Sequence, residues 1–220
     1  MNSFRFEHAV RAGLVAALVL AAAAAHAVVP AVVEPNFQGQ DVSVEARRMA
    51  QWALDSRDAR GQPYAVVDKQ DARIFVFAAD GRLVGAAAAL LGEARGDESV
   101  PGVGQRAFAD LRPHERTTPA GRFESEPGHN HKGEAVVWVA YDDAVAIHRL
   151  RPAPAAERRP QRLASPTPAD NRITLGCIVV DEAFYDAVVA PTLGKRRGVV
   201  YVLPDGDRGE AQRSTGADAL

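Results

Sequence analysis

The 220-residue chain holds one cysteine, Cys177, and a histidine, His148, stands 29 residues before it. A thiol does acyl-transfer chemistry when a neighbouring base or cation draws off its proton. Imidazole is the side chain suited to that task near neutral pH. Attack on a carbonyl also needs hydrogen-bond donors aimed at the oxygen that becomes charged. Gly176, directly before the thiol, lets the backbone pass close to a substrate, so the amides of Gly176 and Cys177 are candidate donors. Spacing alone does not pair this cysteine with this histidine. In an exported chain a single cysteine can make no internal disulfide, which leaves a buried apolar filler, an intermolecular link or a reactive thiol.

Other residues invite chemical readings beside bland ones. His129 and His131 have metal-like spacing and His114 could join them, but Gly128 and Gly133 around them read as an exposed turn of solvated histidines. Arg149, Arg151, Arg158, Arg159 and Arg162 put positive charge near the proposed cleft, either as a solvated loop or as an edge that binds a substrate carboxylate. Arg172, close to Cys177, could lower the thiol pKa or pair with Asp170 or Asp181. Trp52 and Trp138 read as core. No cofactor or metal is expected.

The meaning of the lone thiol depends on the N-terminus. Residues 1–27 read as a secretory signal: Arg5 and Arg11 precede an apolar run over residues 13–25, and Ala25-His26-Ala27 is an A-x-A cleavage site. A retained anchor is the alternative. No cysteine directly follows that site, so a lipid anchor is not expected, and no later stretch is long or apolar enough to span a membrane. The reading is an exported protein of the periplasm or cell envelope, with no stable membrane insertion once the signal is removed. A net charge of −2 without a basic patch argues against nucleic acid as a partner. The mature chain is one domain's worth of sequence and can bury a core without staples.

The elements that must position the thiol follow from patterning. Residues 28–61 read as a leader and a helix, the helix over 41–60 with Asp41 or Ser43 as N-cap. Strand signals begin at Tyr64-Ala65-Val66-Val67. They continue in Arg73-Ile74-Phe75-Val76-Phe77-Ala78, the Asp80-Gly81 hairpin turn and its return over Arg82–Leu91. The segments 93–115 and 151–170 are long, irregular and rich in Gly, Pro or Arg, a character often tied to function. Ala135–Tyr141 and Ala144–Leu150 form another hairpin, with His148 near the end of its second strand. Ile173–Val180 reads as one strand carrying Cys177, Asp181 caps a short helix to Ala190, and Gly198–Leu203 is the last strand. The domain therefore covers 62–205, and 206–220 reads as a disordered tail. The sum is a mainly β sandwich or barrel-like sheet with an N-terminal helix and a short helix after the cysteine.

Three segments taken in order resemble the L,D-transpeptidase (YkuD-like) catalytic domain: Thr118-Pro119-Ala120-Gly121-Arg122-Phe123, then Ile147-His148, then Thr174-Leu175-Gly176-Cys177-Ile178. The resemblance spans roughly Tyr64 to Pro204. It implies a β-rich fold and cysteine acyl transfer on peptidoglycan stem peptides; independently of it, the chain is expected to be a monomer. The resemblance also implies Cys177 as nucleophile, His148 as general base and then acid, and an oxyanion site shaped by the Gly176 and Cys177 amides with Thr174 nearby. Thr118, Gly121 and Phe123 would shape one wall of the cleft. The acyl donor would be a tetrapeptide stem cut before its terminal D-alanine. An amine acceptor gives transpeptidation, water gives an L,D-carboxypeptidase, and a weakened domain would bind peptidoglycan without processing it. Leu175 and Val179 stand where the family more often carries polar residues. Apart from the resemblance, Arg149 and Arg172 are candidate substrate-binding residues because they stand close to His148 and Cys177 in sequence.

Overall fold

The computed structural model describes residues 35–206. The signal reading of 1–27, the start of the leader at 28–34 and the tail from 207 lie outside them. Helix α1 spans Val44–Ser56. The strands are β1 Tyr64–Asp68, β2 Arg73–Phe77, β3 Leu83–Ala88, β4 Leu91–Gly92 and β5 Gly121–His129. They continue with β6 Ala135–Ala140, β7 Val145–Arg149, β8 Arg172–Thr174, β9 Ile178–Val180 and β10 Gly198–Val202. The fold is mainly β, as the patterning implies. Eight strands form one sheet in the order β3-β2-β1-β10-β5-β6-β7-β9, and β4 pairs with β8 beside it. Beyond β3, Leu90 pairs antiparallel with Val179 of the far edge strand β9, so the sheet nearly closes on itself. Closure of this kind removes edges that would otherwise template aggregation.

Strand alternation explains how one sheet serves two purposes. Successive side chains point to opposite faces. Ala65 and Val67, Ile74 and Val76, and Val200 and Val202 all enter the interior cluster of the barrel. Their neighbours Tyr64 and Val66, Phe75 and Phe77, and Val199 and Tyr201 enter a second cluster with Ala46, Ala50 and Ala53 of α1. This half of the sheet is buried on both faces, and each such Val, Ile or Phe contributes about 1.5–3 kcal/mol. Ser43 caps α1, its hydroxyl accepting from the Ala46 amide at 3.0 Å. Trp52 departs from its expected place in the core: it is 48% exposed and meets Tyr201 edge-on at the rim of the helix.

The other half of the sheet uses its outer face differently. Val137 and Val139 of β6, Val145 and Ile147 of β7, and Ile178 and Val180 of β9 point into the barrel. The alternate residues face outward under the two long loops. Those loops are not featureless. The first carries short 3-10 turns at Val103–Gln105, Phe108–Asp110 and Pro113–Glu115, and the second a turn at Ala155–Glu157 and a helix α2, Arg159–Leu163. Such single-turn pieces lack the periodic apolar stripe that marks a helix in sequence.

The expected continuous strand over 173–180 is broken. β8 ends at Thr174, β9 begins at Ile178, and Leu175-Gly176-Cys177 form a bend between them. The cause is Gly176, whose φ of +132° belongs to no regular strand. Asp181 caps the following helix as expected, accepting from Ala183 N at 2.9 Å, and that helix runs on to Thr192 through a π-helical turn over Tyr185–Val189.

Candidate active site

A cavity of about 330 Å³ lies on the outward face of β6, β7 and β9. Its floor is the alternate set of those strands: Val136 and Trp138, Ala146 and His148, and Cys177 with Val179. Val103, Phe108 and Leu111 from the first long loop, and Arg151 to Pro154, Glu157 and Arg159 from the second, roof it. The parallel pairing of β7 with β9 sets His148 opposite Val179, two positions beyond the thiol. The register thereby brings Cys177 and His148 into one cavity. Thr174 and Leu175 also line it.

The bend that carries the thiol is held from both sides by threonines. The Thr174 hydroxyl donates to Cys177 O at 2.7 Å and accepts from Gly176 N at 3.2 Å. The Thr118 hydroxyl donates to Gly176 O at 2.8 Å and accepts from Gly92 N at 2.8 Å. A Cβ on Gly176 would sit 2.8 Å from Thr117 O. Glycine is thus required here both by its dihedral and by the close backbone approach. Two expectations change. The Gly176 amide is committed inside the turn, so of that pair only the Cys177 amide remains a candidate oxyanion donor. Thr118 is fully buried behind the turn, and neither it nor Gly121 nor Phe123 lines the cavity.

His148 is nine-tenths buried, and its Nδ1 lies 2.8 Å from the carbonyl oxygen of Arg149. A carbonyl can only accept, so this bond puts the proton on Nδ1 and leaves Nε2 as the lone-pair nitrogen. Burial pushes the imidazole pKa down to about 4, with Arg151 and Arg159 adding to the effect while the Arg149 carbonyl and Glu134 oppose it. Burial likewise pushes the Cys177 thiol up, against the Ala146 backbone, Arg151 and Arg159, which pull it down. The resting pair at neutral pH is therefore thiol and neutral imidazole. Cys177 Sγ donates to Ala144 O at 3.5 Å, so thiol and imidazole each hydrogen-bond to a backbone carbonyl rather than to each other.

The arginines divide sharply. Arg151 and Arg159 line the cavity, neutralised by Glu134 at 2.9 Å and by Glu157. Arg149 turns away: its guanidinium pairs with Asp186 at 3.0 Å and lies over the Tyr185 ring, so only its carbonyl serves the site. Arg172 does not reach the cavity and pairs with neither Asp170 nor Asp181. It is bound to Asp205 and donates to Lys69 O at 2.8 Å. Arg158 and Arg162 also lie outside the cavity lining, Arg162 donating to Glu157 O and Asp170 O. His131 lines the cavity beside Phe108. Among the described residues no group of three or more His, Cys, Asp or Glu is placed to hold a metal, and no helix is long and apolar enough to cross a membrane.

Sequence reasoning passed over Glu134, Glu157 and Lys69. The two glutamates sit in stretches that read as solvated loop, where nothing local marks a carboxylate as the partner of an arginine across a cavity. Lys69 follows directly on an apolar strand, and that position was its only signal.

No family model matches the chain, and no curated protein matches it. Among solved structures, the helical cell shape determining protein Pgp2 from Campylobacter jejuni aligns with a TM-score of 0.42 and 16% identity, over 66% of this chain and 48% of that one. An L,D-transpeptidase from Mycobacterium smegmatis aligns at 0.38 and 16%, over 64% of this chain and 58% of that one. An L,D-transpeptidase from Xylanimonas cellulosilytica aligns at 0.39 and 18%, over 70% and 68% respectively. The chain spans about half the length of the first and less than two thirds of the second.

Proposed function

We propose that this chain is a cell-envelope cysteine acyltransferase of the L,D-transpeptidase type, acting on peptidoglycan stem peptides. The observation that carries the reading is the joint presence of Cys177 and His148 in one cavity, with the imidazole fixed by Arg149 O so that Nε2 is its basic nitrogen. The three motif segments noted in the sequence supply the substrate class.

In the proposed first step Cys177 gives its proton to His148 Nε2 as its sulfur bonds to the carbonyl carbon of the diamino acid in the stem. The charge that develops on the carbonyl oxygen meets the Cys177 amide. The bond to the terminal D-alanine then breaks, its nitrogen taking the proton back from the imidazolium, and a thioester remains on Cys177. An amine acceptor, or water, gives a proton to His148, attacks the thioester carbon and releases the thiolate, which recovers that proton. A neutral imidazole is the form able to start this sequence, and a pKa near 4 keeps it neutral at physiological pH.

One observation favours a second reading, a domain that binds peptidoglycan without processing it. The thiol and the imidazole hydrogen-bond elsewhere, and apolar Leu175 and Val179 flank the thiol in the cavity. Incubation with purified sacculi and a labelled amine acceptor separates the two. The enzyme transfers label to muropeptides and Cys177→Ala does not, whereas a binding domain sediments with sacculi and transfers none.

A further inference from the structure

Behind the thiol-bearing bend lies a buried charge cluster that the proposed chemistry does not use. The Lys69 side chain is fully buried, at 0% exposure, just past the end of β1. Its ammonium donates to Gly96 O at 2.6 Å, to Asp97 Oδ1 at 2.7 Å and to Thr118 O at 3.0 Å. Asp205 lies 3.5 Å away and also binds Arg172, with the exposed Arg95 3.8 Å off, so two carboxylates face the buried Lys69 and Arg172 and one cation at the rim.

An ammonium removed from water costs several kcal/mol unless it is paired and its donors are satisfied, and an apolar side chain would fill the same space without that cost. What the charge adds is directional: three donors aimed at three fixed acceptors. One of those acceptors belongs to Thr118, and the hydroxyl of the same residue holds Gly176 O, one peptide before the thiol.

We propose that Lys69 is a positioning residue for the Cys177 bend and acts through Thr118. The ammonium fixes the Thr118 backbone, which aims the hydroxyl at Gly176 O and Gly92 N and so sets the bend. Asp97 and Asp205 hold the ammonium in place. The inference rests on the reading of Cys177 as the working nucleophile, but its test does not.

Iodoacetamide alkylates the chain's one cysteine whether or not the protein transfers acyl groups, so its rate reports the bend itself. The measurement is the alkylation rate of folded full-length protein well below its melting temperature, for Lys69→Met, Thr118→Val, Thr118→Ser and the Lys69→Met/Thr118→Val double variant. Release of the bend exposes the thiol. Lys69→Met and Thr118→Val are each expected to raise the rate at least fivefold, and the double variant to be no faster than the faster single. Thr118→Ser, which keeps the hydroxyl, is expected to stay within twofold of wild type. If Lys69→Met does not fold, Asp97→Asn, at a more exposed position, takes its place with the same expectations. A folded Lys69→Met or Asp97→Asn with a lowered melting temperature and an unchanged rate would reduce Lys69 to a staple of the fold and overturn the proposal. Multiplying rather than saturating effects in the double variant would overturn the route through Thr118. Loss of acyl transfer with these alkylation results intact would count against the proposed function alone.

Discussion

The Nδ1 of His148 is hydrogen-bonded to the backbone carbonyl of its own neighbour, Arg149, at 2.8 Å. In the proposed role His148 accepts a proton through Nε2, and its ring is oriented by an atom that side-chain substitution leaves in place. Arg149→Ala is expected to keep acyl transfer within about twofold of wild type, because only its guanidinium, paired with Asp186 outside the cavity, is lost. His148→Ala is expected to lower the rate by about 10²–10⁴, the usual range for a general acid–base group. Steady-state rates of both variants on a stem tetrapeptide with an amine acceptor check the pair.

The depressed pKa of His148 makes stability depend on pH. Its folded value is near 4 and its ordinary value 6.5, so the unfolded chain binds a proton that the folded chain refuses between those limits. Stability is therefore full above about pH 6.5 and falls as pH drops toward 4, by on the order of 3 kcal/mol for this group alone. Urea unfolding at pH 7 and pH 4 is expected to show that loss in wild type. His148→Gln is expected to lose that much less over the same window.

The thiol responds to the two cavity arginines in the opposite sense. Arg151 and Arg159 lower the Cys177 pKa that burial raises. Removing either is expected to shift the thiol further up, reduce the thiolate present at pH 8 and slow iodoacetamide alkylation by about two- to fivefold. Arg172→Ala leaves the cavity charge alone and is expected to lower stability instead, because Arg172 is buried against Asp205 and Lys69 O. Alkylation rates beside melting temperatures distinguish the two effects.

Much of this arrangement was legible in the residues. Runs of β-branched and aromatic residues marked the hairpin strands, Asp80-Gly81 marked a turn, and Asp181 marked a helix start, because each is a local preference that the fold did not override. The convergence of Cys177 and His148 depends on a parallel pairing of β7 with β9, which no local pattern encodes. The chain read as one strand through Cys177 because its apolar run is continuous, and the break depends on a single glycine whose dihedral sequence does not state. Arg149 and Arg172 were placed by the substrate on sequence proximity alone. In the strand, alternation turns Arg149 away from the face that His148 shares with the cavity, and Arg172 is drawn to Asp205, 33 residues further on.

Gly176→Ala tests that dihedral. The added Cβ would meet Thr117 O at 2.8 Å with φ at +132°, and the variant is expected to lose about 1–3 kcal/mol of stability. Chemical denaturation of the Cys177→Ala background, with and without the substitution, measures it free of thiol oxidation.

The proposed role of Cys177 as the nucleophile that becomes acylated can be read from intact-mass measurement after incubation with a carbapenem. A single stoichiometric adduct on wild type, absent from Cys177→Ala and formed far more slowly by His148→Ala, is the expected result. An unmodified wild-type mass, or an adduct that persists in Cys177→Ala, would rule that role out.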